Sequence, residues 1–393
     1  MTKTILPSKS RDLRLDFFRG LALIMIFIDH VPGNYLAQFT AQNFGYSDAA
    51  EIFVLVAGIA SVMAFGSIWR QRGAVASLRA VLARAIRLYT YHLAVVTGLA
   101  LVAFVFVTGS GDRAILSSLG IEAFFSDPGM ALAGIVSLTF LPNFMDILPL
   151  YVVLIASLVV ILPLQRIHYA LPLLPSLALY GAAQQFGWNL PNHPHATVWF
   201  FNPFAWQFLF VTGAIIAAMM RNGIRVDHRL SWALTAAAGS YSAFTLLHAA
   251  PWAQIPELAD WRLITMPLPV YEDKVNLSPW RLADILAKAW LVGVFVAPAG
   301  RLLNSLAARA IQLLGRHSLD VFSVSTLLAV AAGMHIHSSG SSFETMTAFN
   351  LFGIAAMFLT AYGLETRFAN FMPAVRSLAA GVNFRMLRPK TNR

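Results

Sequence analysis

Long apolar runs, rather than an alternation of apolar and polar positions, dominate this chain. A helix that crosses a membrane needs about 20 consecutive, mainly apolar residues. Runs of this kind lie at 17–36, 50–69, 84–108, 146–164, 168–187, 202–220, 230–249, 281–299, 318–335 and 346–364. The shorter apolar stretch Met130–Leu141 predicts a re-entrant or interfacial segment. We therefore expect an all-α integral membrane protein, a bundle of about ten transmembrane helices.

The composition supports a membrane environment. Of the 393 residues, 58% are hydrophobic and only 12% are charged, whereas soluble domains carry roughly 25% charged residues. The chain has no cysteine, which excludes disulfides, thiolate metal sites and a cysteine nucleophile. We find no zinc signature, phosphate-binding glycine loop or nucleophile elbow, and no metal is expected.

The basic residues predict the orientation of the bundle. Twenty-three lie in the two tails and in alternate loops on one side, four lie on the other side, and Lys288 lies within a predicted span. Basic loops stay in the cytoplasm, so both termini are predicted to be cytoplasmic and no cleavable signal peptide is expected. The net charge of +10 then reflects topology rather than nucleic-acid binding. We expect one domain, with a tail at 1–16, the bundle at 17–364 and a basic tail at 365–393.

The first predicted span carries an ionisable pair. Arg19 and His30 are eleven residues apart, close to three helical turns, so they share one face about 16 Å apart. This face offers a cation at the cytoplasmic edge, where an anionic ligand could dock, and a titratable base deeper in the membrane. The alternative is a structural histidine bonded to a neighbouring helix.

Two carboxylates begin the second predicted span. Asp48 and Glu51 are three residues apart and lie on one face, and either could orient His30 and stabilise its charged form. The alternative is helix capping, which suits both positions.

Further candidates lie near the outer ends of later spans. Asp146 either caps its helix or faces an outer cavity. Lys288 either pairs with Asp284 or holds the distal carboxylate of an acyl group. At the start of the sixth span the aromatic and amide side chains suit sugar binding, although tryptophan is also a common interface anchor; these are Asn202, Trp206 and Gln207.

Several of these residues fall in blocks that resemble a known superfamily. Arg19-x10-His30 resembles the Arg/Lys-x10-His motif of the membrane acyltransferase-3 superfamily. The block Glu51-Ile-Phe-Val-Leu-Val-Ala-Gly58 resembles its Asp-Leu-Phe-Phe-Val-Leu-Ser-Gly block, with Glu51 in the aspartate position. Leu314-Gly-Arg-His-Ser-Leu-Asp-Val-Phe322 resembles its late block, which usually continues to a histidine where this chain has Ser325.

Four blocks resemble the OpgC family more closely and follow its order. They are Leu15-Asp-Phe-Phe-Arg-Gly-Leu-Ala with Asp29-His30, Ser47-Asp-Ala-Ala-Glu-Ile-Phe-Val, Asp146-Ile-Leu-Pro-Leu-Tyr151, and Phe201-Asn-Pro-Phe-Ala-Trp-Gln207. The resemblance implies a multi-pass enzyme of the bacterial inner membrane. It implies transfer of succinyl groups from cytoplasmic succinyl-CoA to periplasmic glucan.

On this resemblance we expect His30 to deprotonate a glucan hydroxyl, with Asp29, Asp48 and Glu51 in the catalytic set. Direct transfer and a covalent acyl-histidine both remain open. The CoA phosphates are expected on arginines at the inner edge, because the guanidinium group binds phosphate through paired donors. The arginines are Arg19, Arg14, Arg84, Arg87 and Arg316.

Two other functions fit the buried charges. A proton-coupled transporter or flippase of a small anion or glycan precursor would also use Arg, His, Asp and Lys within its spans. Such transporters often contain inverted repeats, and no repeat is evident here. A membrane scaffold would use the same groups to join helices.

Overall fold

The computed structural model of the chain describes residues 12–193, 197–261, 263–268, 272–298 and 300–381, with side chains to residue 367. These residues form fifteen α-helices, four short 3-10 helices and one hairpin of two-residue strands. The first nine α-helices are α1 (Leu13–His30), α2 (Ala49–Arg72), α3 (Ala74–Ser110), α4 (Ala114–Leu119), α5 (Ala123–Ser126), α6 (Pro128–Val136), α7 (Ile147–Ala156), α8 (Leu158–Ile167) and α9 (Leu173–Phe186).

The hairpin separates α9 from the later helices. Strand β1 (Pro191–Asn192) pairs antiparallel with β2 (Thr197–Val198), with Pro191 opposite Val198 and Asn192 opposite Thr197. The six later helices are α10 (Pro203–Asn222), α11 (His228–Ala249), α12 (Pro279–Phe295), α13 (Leu306–Arg316), α14 (Ser318–Ser339) and α15 (Phe343–Gly381). The 3-10 helices cover Tyr35–Phe39, Ala41–Asn43, Pro251–Gln254 and Pro256–Leu258.

The helical character predicted for the ten apolar runs is confirmed, because each run falls on a helix. The fourth run falls on two helices, since α7 ends at Ala156 and α8 begins at Leu158. The short run at 130–141 forms α6 and the turn that follows it.

Six segments of the described chain are long and apolar enough to cross a membrane. They are Ala49–Arg72, Ala74–Ser110, Ile147–Ile167, Pro203–Asn222, Ser318–Ser339 and Phe343–Arg367. The protein is therefore a helical membrane protein.

Four predicted spans fall outside this set. Helix α1 contains four charged residues, α9 and α12 are shorter than eighteen residues, and α11 is less apolar. The count of ten spans and the cytoplasmic position of both termini stay predictions.

Two pairs of glycines bring helices into backbone contact. A Cβ atom on Gly58 of α2 would lie 2.1 Å from the carbonyl oxygen of Phe210, and one on Gly213 of α10 would lie 2.4 Å from that of Leu55. Small residues allow this close packing of helices in membranes. Helices α2 and α10 thus pack with their backbones in direct contact.

The second pair joins α1 to α13. A Cβ atom on Gly20 would lie 2.0 Å from the carbonyl oxygen of Ile311, and one on Gly315 would lie 1.9 Å from that of Asp16. Helix α13 lies in a segment that the sequence assigned to a basic loop, because its eleven residues are too few to span a membrane. Its packing fixes the end of α1 that carries Arg19.

Candidate functional site

Two cavities lie along α1, and we name them by the ionisable residues of that helix. The arginine cavity has a volume of about 230 Å³, and Arg19 and Arg84 are in its wall. The histidine cavity has a volume of about 620 Å³, and His30 and Asp29 are in its wall. Because Arg19 and His30 are about 16 Å apart along the helix, the two cavities follow one another across the bundle.

One pair of apolar side chains belongs to both cavities. Ile147, at the start of α7, and Phe322, in the second turn of α14, line the arginine cavity and also the histidine cavity. They therefore form the boundary between the two spaces.

The tautomer of the neutral His30 ring follows from its hydrogen bond. Its Nδ1 lies 2.6 Å from the carbonyl oxygen of Ile26, one turn earlier. A carbonyl oxygen only accepts, so in the neutral ring Nδ1 carries the proton and Nε2 keeps its lone pair. The ring also packs edge-on against Phe144, with 4.9 Å between the ring centroids. The His30 ring is thus held in place, and Nε2, the basic nitrogen of the neutral ring, is not used by the hydrogen bond to Ile26.

Three of the predicted acidic residues line the cavity with His30, namely Asp29, Asp48 and Asp146. The Asp29 carboxylate accepts hydrogen bonds from Thr40 Oγ1 at 2.7 Å and from Gln42 Nε2 at 3.0 Å. Asp146, which precedes α7, also lines the histidine cavity. The Asp29 and Asp146 carboxylates therefore lie where a polar ligand beside His30 would contact them.

Asp48 and Glu51 form the cap of α2. The Asp48 side chain accepts from the Ala50 N–H at 2.8 Å, and the Glu51 side chain accepts from the Asp48 N–H at 2.9 Å. This is a capping box. Asp48 lines the histidine cavity, while Glu51 is fully buried and does not. No hydrogen bond joins Glu51 to His30 in the described structure, and its role in orienting His30 stays a prediction.

Two cations complete this cluster. Arg281, in the first turn of α12, donates from Nε to Glu51 Oε1 at 2.7 Å and from an Nη atom to Asp48 Oδ2 at 3.1 Å. Lys274 Nζ lies 2.6 Å from Asp48 Oδ2. The two carboxylates are therefore balanced by two cations, and Asp48 is shared between them.

Lys274 is a candidate that the sequence did not reveal. It lines the histidine cavity, its side chain is 29% exposed, and its ammonium group lies 5.7 Å from the ring centroid of Phe201. The sequence places it in a connection between spans, with no motif around it. Its only signal was its place among the few basic residues on the predicted outer side.

Two of the three predicted sugar-binding residues at the start of α10 hold the turn that carries Lys274. Asn202 Nδ2 donates to Asn276 Oδ1 at 2.8 Å, and Trp206 Nε1 donates to the Lys274 carbonyl at 3.1 Å. Gln207 bonds with Ser176 of α9 at 2.6 Å. All three α10 side chains are buried and are absent from the described lining of both cavities. Contact with an acceptor stays a prediction for them, and the observed contacts are structural.

Lys288 forms the ion pair with Asp284 that was the alternative to binding the distal carboxylate of an acyl group. Its Nζ lies 2.6 Å from Asp284 Oδ2 and 3.3 Å from Ser47 Oγ. Asp284 also accepts from Thr245 Oγ1 at 2.7 Å and from the Ser47 hydroxyl at 2.6 Å. Lys288 does not line either cavity as described.

The five predicted phosphate-binding arginines separate into two groups. Arg19 and Arg84 line the arginine cavity. Arg14 bonds with Asp12 at 2.7 Å, Arg316 pairs with Glu365 at 2.5 Å, and Arg87 lies 4.0 Å from Asp320. The structure brings together two of the five at one cavity and places the other three against carboxylates.

Comparisons with known proteins identify the family. No match was found among curated proteins, and none was found among solved structures. The model of a family described as OpgC protein matches residues 11–368, which includes α1 and all described residues that line the two cavities. The chain therefore belongs to the OpgC protein family.

Proposed function

We propose that this protein is a membrane O-acyltransferase that moves a succinyl or similar acyl group from cytoplasmic acyl-CoA to a hydroxyl of periplasmic glucan. The observation that carries the proposal is the arrangement of the two cavities. One has arginines in its wall, the other has a histidine held by a hydrogen bond, and they meet at one boundary. Membership of the OpgC family supports a function connected with these glucans.

The arginine cavity is the proposed donor site. Arg19 and Arg84 offer planar, paired donors that suit the phosphates of CoA. The remaining wall is mainly apolar, from Phe53 and Leu88 on one side to Leu319 on another. A slender acyl arm can follow this wall towards Ile147 and Phe322. The thioester then reaches the boundary with the histidine cavity.

The histidine cavity is the proposed acceptor site. A volume of about 620 Å³ lies within the usual range of ligand pockets, roughly 300–1,000 Å³. Trp199 and Phe200 supply aromatic wall for a sugar ring, and Asp29 and Asp146 can accept hydrogen bonds from sugar hydroxyls. A hydroxyl bound there can approach His30 Nε2.

The proposed reaction uses His30 as base and then as acid. Nε2 takes the proton of the glucan hydroxyl as the oxygen attacks the thioester carbonyl carbon. The carbon–sulfur bond breaks, an ester forms, and the proton on Nε2 passes to the CoA thiolate. The Nδ1–H bond to the Ile26 carbonyl keeps the ring oriented and stabilises its charged form while the proton is on Nε2.

Lys274 is the proposed partner of the distal carboxylate of a succinyl group. An acyl group that enters from the arginine cavity would carry this carboxylate past His30 and into the histidine cavity, where Lys274 lies. When Lys274 turns from Asp48 to this ligand, Asp48 keeps its bond to Arg281. A buried carboxylate without a cation would be strongly unfavourable, and the bond to Arg281 prevents this for Asp48. Lys288 is held by Asp284 outside the two cavities.

Purified protein in liposomes tests the proposal, with acyl-labelled succinyl-CoA on one face of the membrane and unlabelled glucan on the other. The expected result is label covalently attached to glucan, and only when donor and glucan are on the predicted faces. Label that crosses the membrane without forming an ester would contradict the proposal and favour a transporter. Protein-free liposomes measure leakage.

A further inference from the structure

The boundary between the two cavities has a composition that suits a barrier. Ile147 and Phe322 are both buried and apolar, and each borders both spaces. Among the described residues, every other one that lines either cavity borders only that cavity. The direct route for water or a charged group between the cavities therefore passes these two side chains.

The two helices converge on this boundary in the same way. On α14, Ser318 and Leu319 line the arginine cavity, and Phe322 lies one turn further on. On α7, Tyr151 and Ile155 line the arginine cavity, and Ile147 lies one turn before Tyr151. Residues three or four apart share a helix face. The arginine cavity is thus walled by a stripe from each helix, and both stripes end at the boundary.

Phe322 is held in place through its backbone. Ser325 Oγ donates to the Phe322 carbonyl at 3.0 Å, and Thr326 Oγ1 donates to the same carbonyl at 2.8 Å. Two residues before Phe322 on α14, Asp320 accepts a hydrogen bond from the Tyr91 hydroxyl of α3 at 2.5 Å. These bonds fix the helix on both sides of Phe322. A displacement of the phenyl ring would then take place about its own side-chain bonds, with the helix in place.

We infer that Phe322, together with Ile147, is a partition that keeps the two cavities separate until an acyl group displaces the phenyl ring. The barrier is inferred from the two residues that border both cavities, and it does not depend on the proposed acyl transfer. Its consequence rests on the proposed function: an intact partition keeps water in the histidine cavity away from a thioester in the arginine cavity. Phe322 would then favour transfer to the acceptor over hydrolysis, because exclusion of water suppresses that side reaction.

The absence of cysteine in the sequence permits a test that needs no substrate. Single cysteines are introduced on α2 at Ala50, which lines the histidine cavity, and at Ser61, which lines the arginine cavity. A charged, membrane-impermeant methanethiosulfonate is applied to one face of the vesicles at a time. With Phe322 intact, Ala50→Cys should react from one face only and Ser61→Cys from the opposite face only.

Removal of the ring should abolish this separation. In the Phe322→Ala background, Ser61→Cys should gain reaction from the face that modifies Ala50→Cys. Phe53→Ala is the matched control, because Phe53 lines the arginine cavity and not the histidine cavity. In the Phe53→Ala background, Ser61→Cys should still react from one face of the membrane only. Phe322→Leu, which keeps an apolar side chain at the site, replaces Phe322→Ala if the alanine variant does not fold.

Three outcomes would overturn the inference. They are reaction of both reporters from the same face with Phe322 intact, no reaction of Ser61→Cys from either face, and unchanged reactivity after loss of the ring. A second readout concerns the enzyme. Phe322→Ala should raise glucan-independent release of CoA relative to transfer. If neither the wild type nor any variant transfers an acyl group, the proposed function fails. The reactivity of the two cysteine reporters still decides whether the partition exists.

Discussion

Loss of the Glu51 charge should destabilise the protein far more than loss of an exposed carboxylate. Glu51 is fully buried, and each of its oxygen atoms has a donor beside it. Oε1 accepts from Arg281 at 2.7 Å and Oε2 accepts from the Asp48 N–H at 2.9 Å. In Glu51→Gln the amide nitrogen must face one of these donors in either rotamer. The substitution therefore creates a donor facing a donor and removes half of the negative charge that balances Arg281 and Lys274.

The magnitude follows from the burial of the pair. Removal of one partner from a buried ion pair costs about 3–5 kcal/mol, because the other charge is left without compensation. Arg281→Met should be destabilising by a similar amount, since it leaves Glu51 buried with one hydrogen bond. The double variant should be less destabilised than the sum of the single variants, by roughly 0.5–3 kcal/mol.

Unfolding in mixed micelles by titration with sodium dodecyl sulfate, followed by tryptophan fluorescence, measures these differences. Glu344→Gln is the control, because Glu344 is exposed in the first turn of α15 and should unfold like the wild type. Additive effects of the two single substitutions would refute the reasoning. So would a Glu51→Gln variant as stable as the wild type.

Three further substitutions test individual roles. Arg19→Ala should mainly raise the KM for acyl-CoA in steady-state assays, because Arg19 is proposed to bind phosphate; a loss of kcat at unchanged KM would contradict this. Lys274→Met should lower transfer from succinyl-CoA more than from butyryl-CoA, which has no distal carboxylate. An equal loss with both donors would contradict this role and would leave Lys288 as the candidate for binding the carboxylate. Tyr151→Phe should raise the free energy of unfolding by about 1 kcal/mol, since no described residue bonds with this buried hydroxyl; lower stability would contradict it.

Local patterns in the sequence predicted much of the framework. The spacing of Arg19 and His30 placed both on one face of α1, because helical periodicity depends only on residues close in the chain. The capping alternative for Asp48 and Glu51 is also what the structure shows, for the same reason. Asn202 followed by Pro203 was an unused signal of this kind. Asparagine before a proline at the first helical position is typical of a helix start, and Asn202 does cap α10.

Contacts between distant segments could not be predicted. Lys274 reaches the histidine cavity because its turn is held by α10, and no periodicity connects these segments. Arg281 meets Glu51 across 230 residues of sequence. Helix α13 was missed because a length criterion for spans ignores short helices, although Ser305 is a good cap for it. Phe322 and Ile147 border both cavities only because α14 and α7 both pack against α3.

The most direct test of the central claim is the rate of acyl transfer to glucan by His30→Asn. The asparagine Nδ2 can replace Nδ1 as the donor to the Ile26 carbonyl, so the variant keeps the structural hydrogen bond and loses the basic nitrogen. Without a general base, transfer at saturating donor and glucan should fall by about 10²–10⁴-fold, while the affinity for CoA and the melting temperature stay near those of the wild type. Turnover close to that of the wild type would contradict the account and would leave His30 as a structural residue.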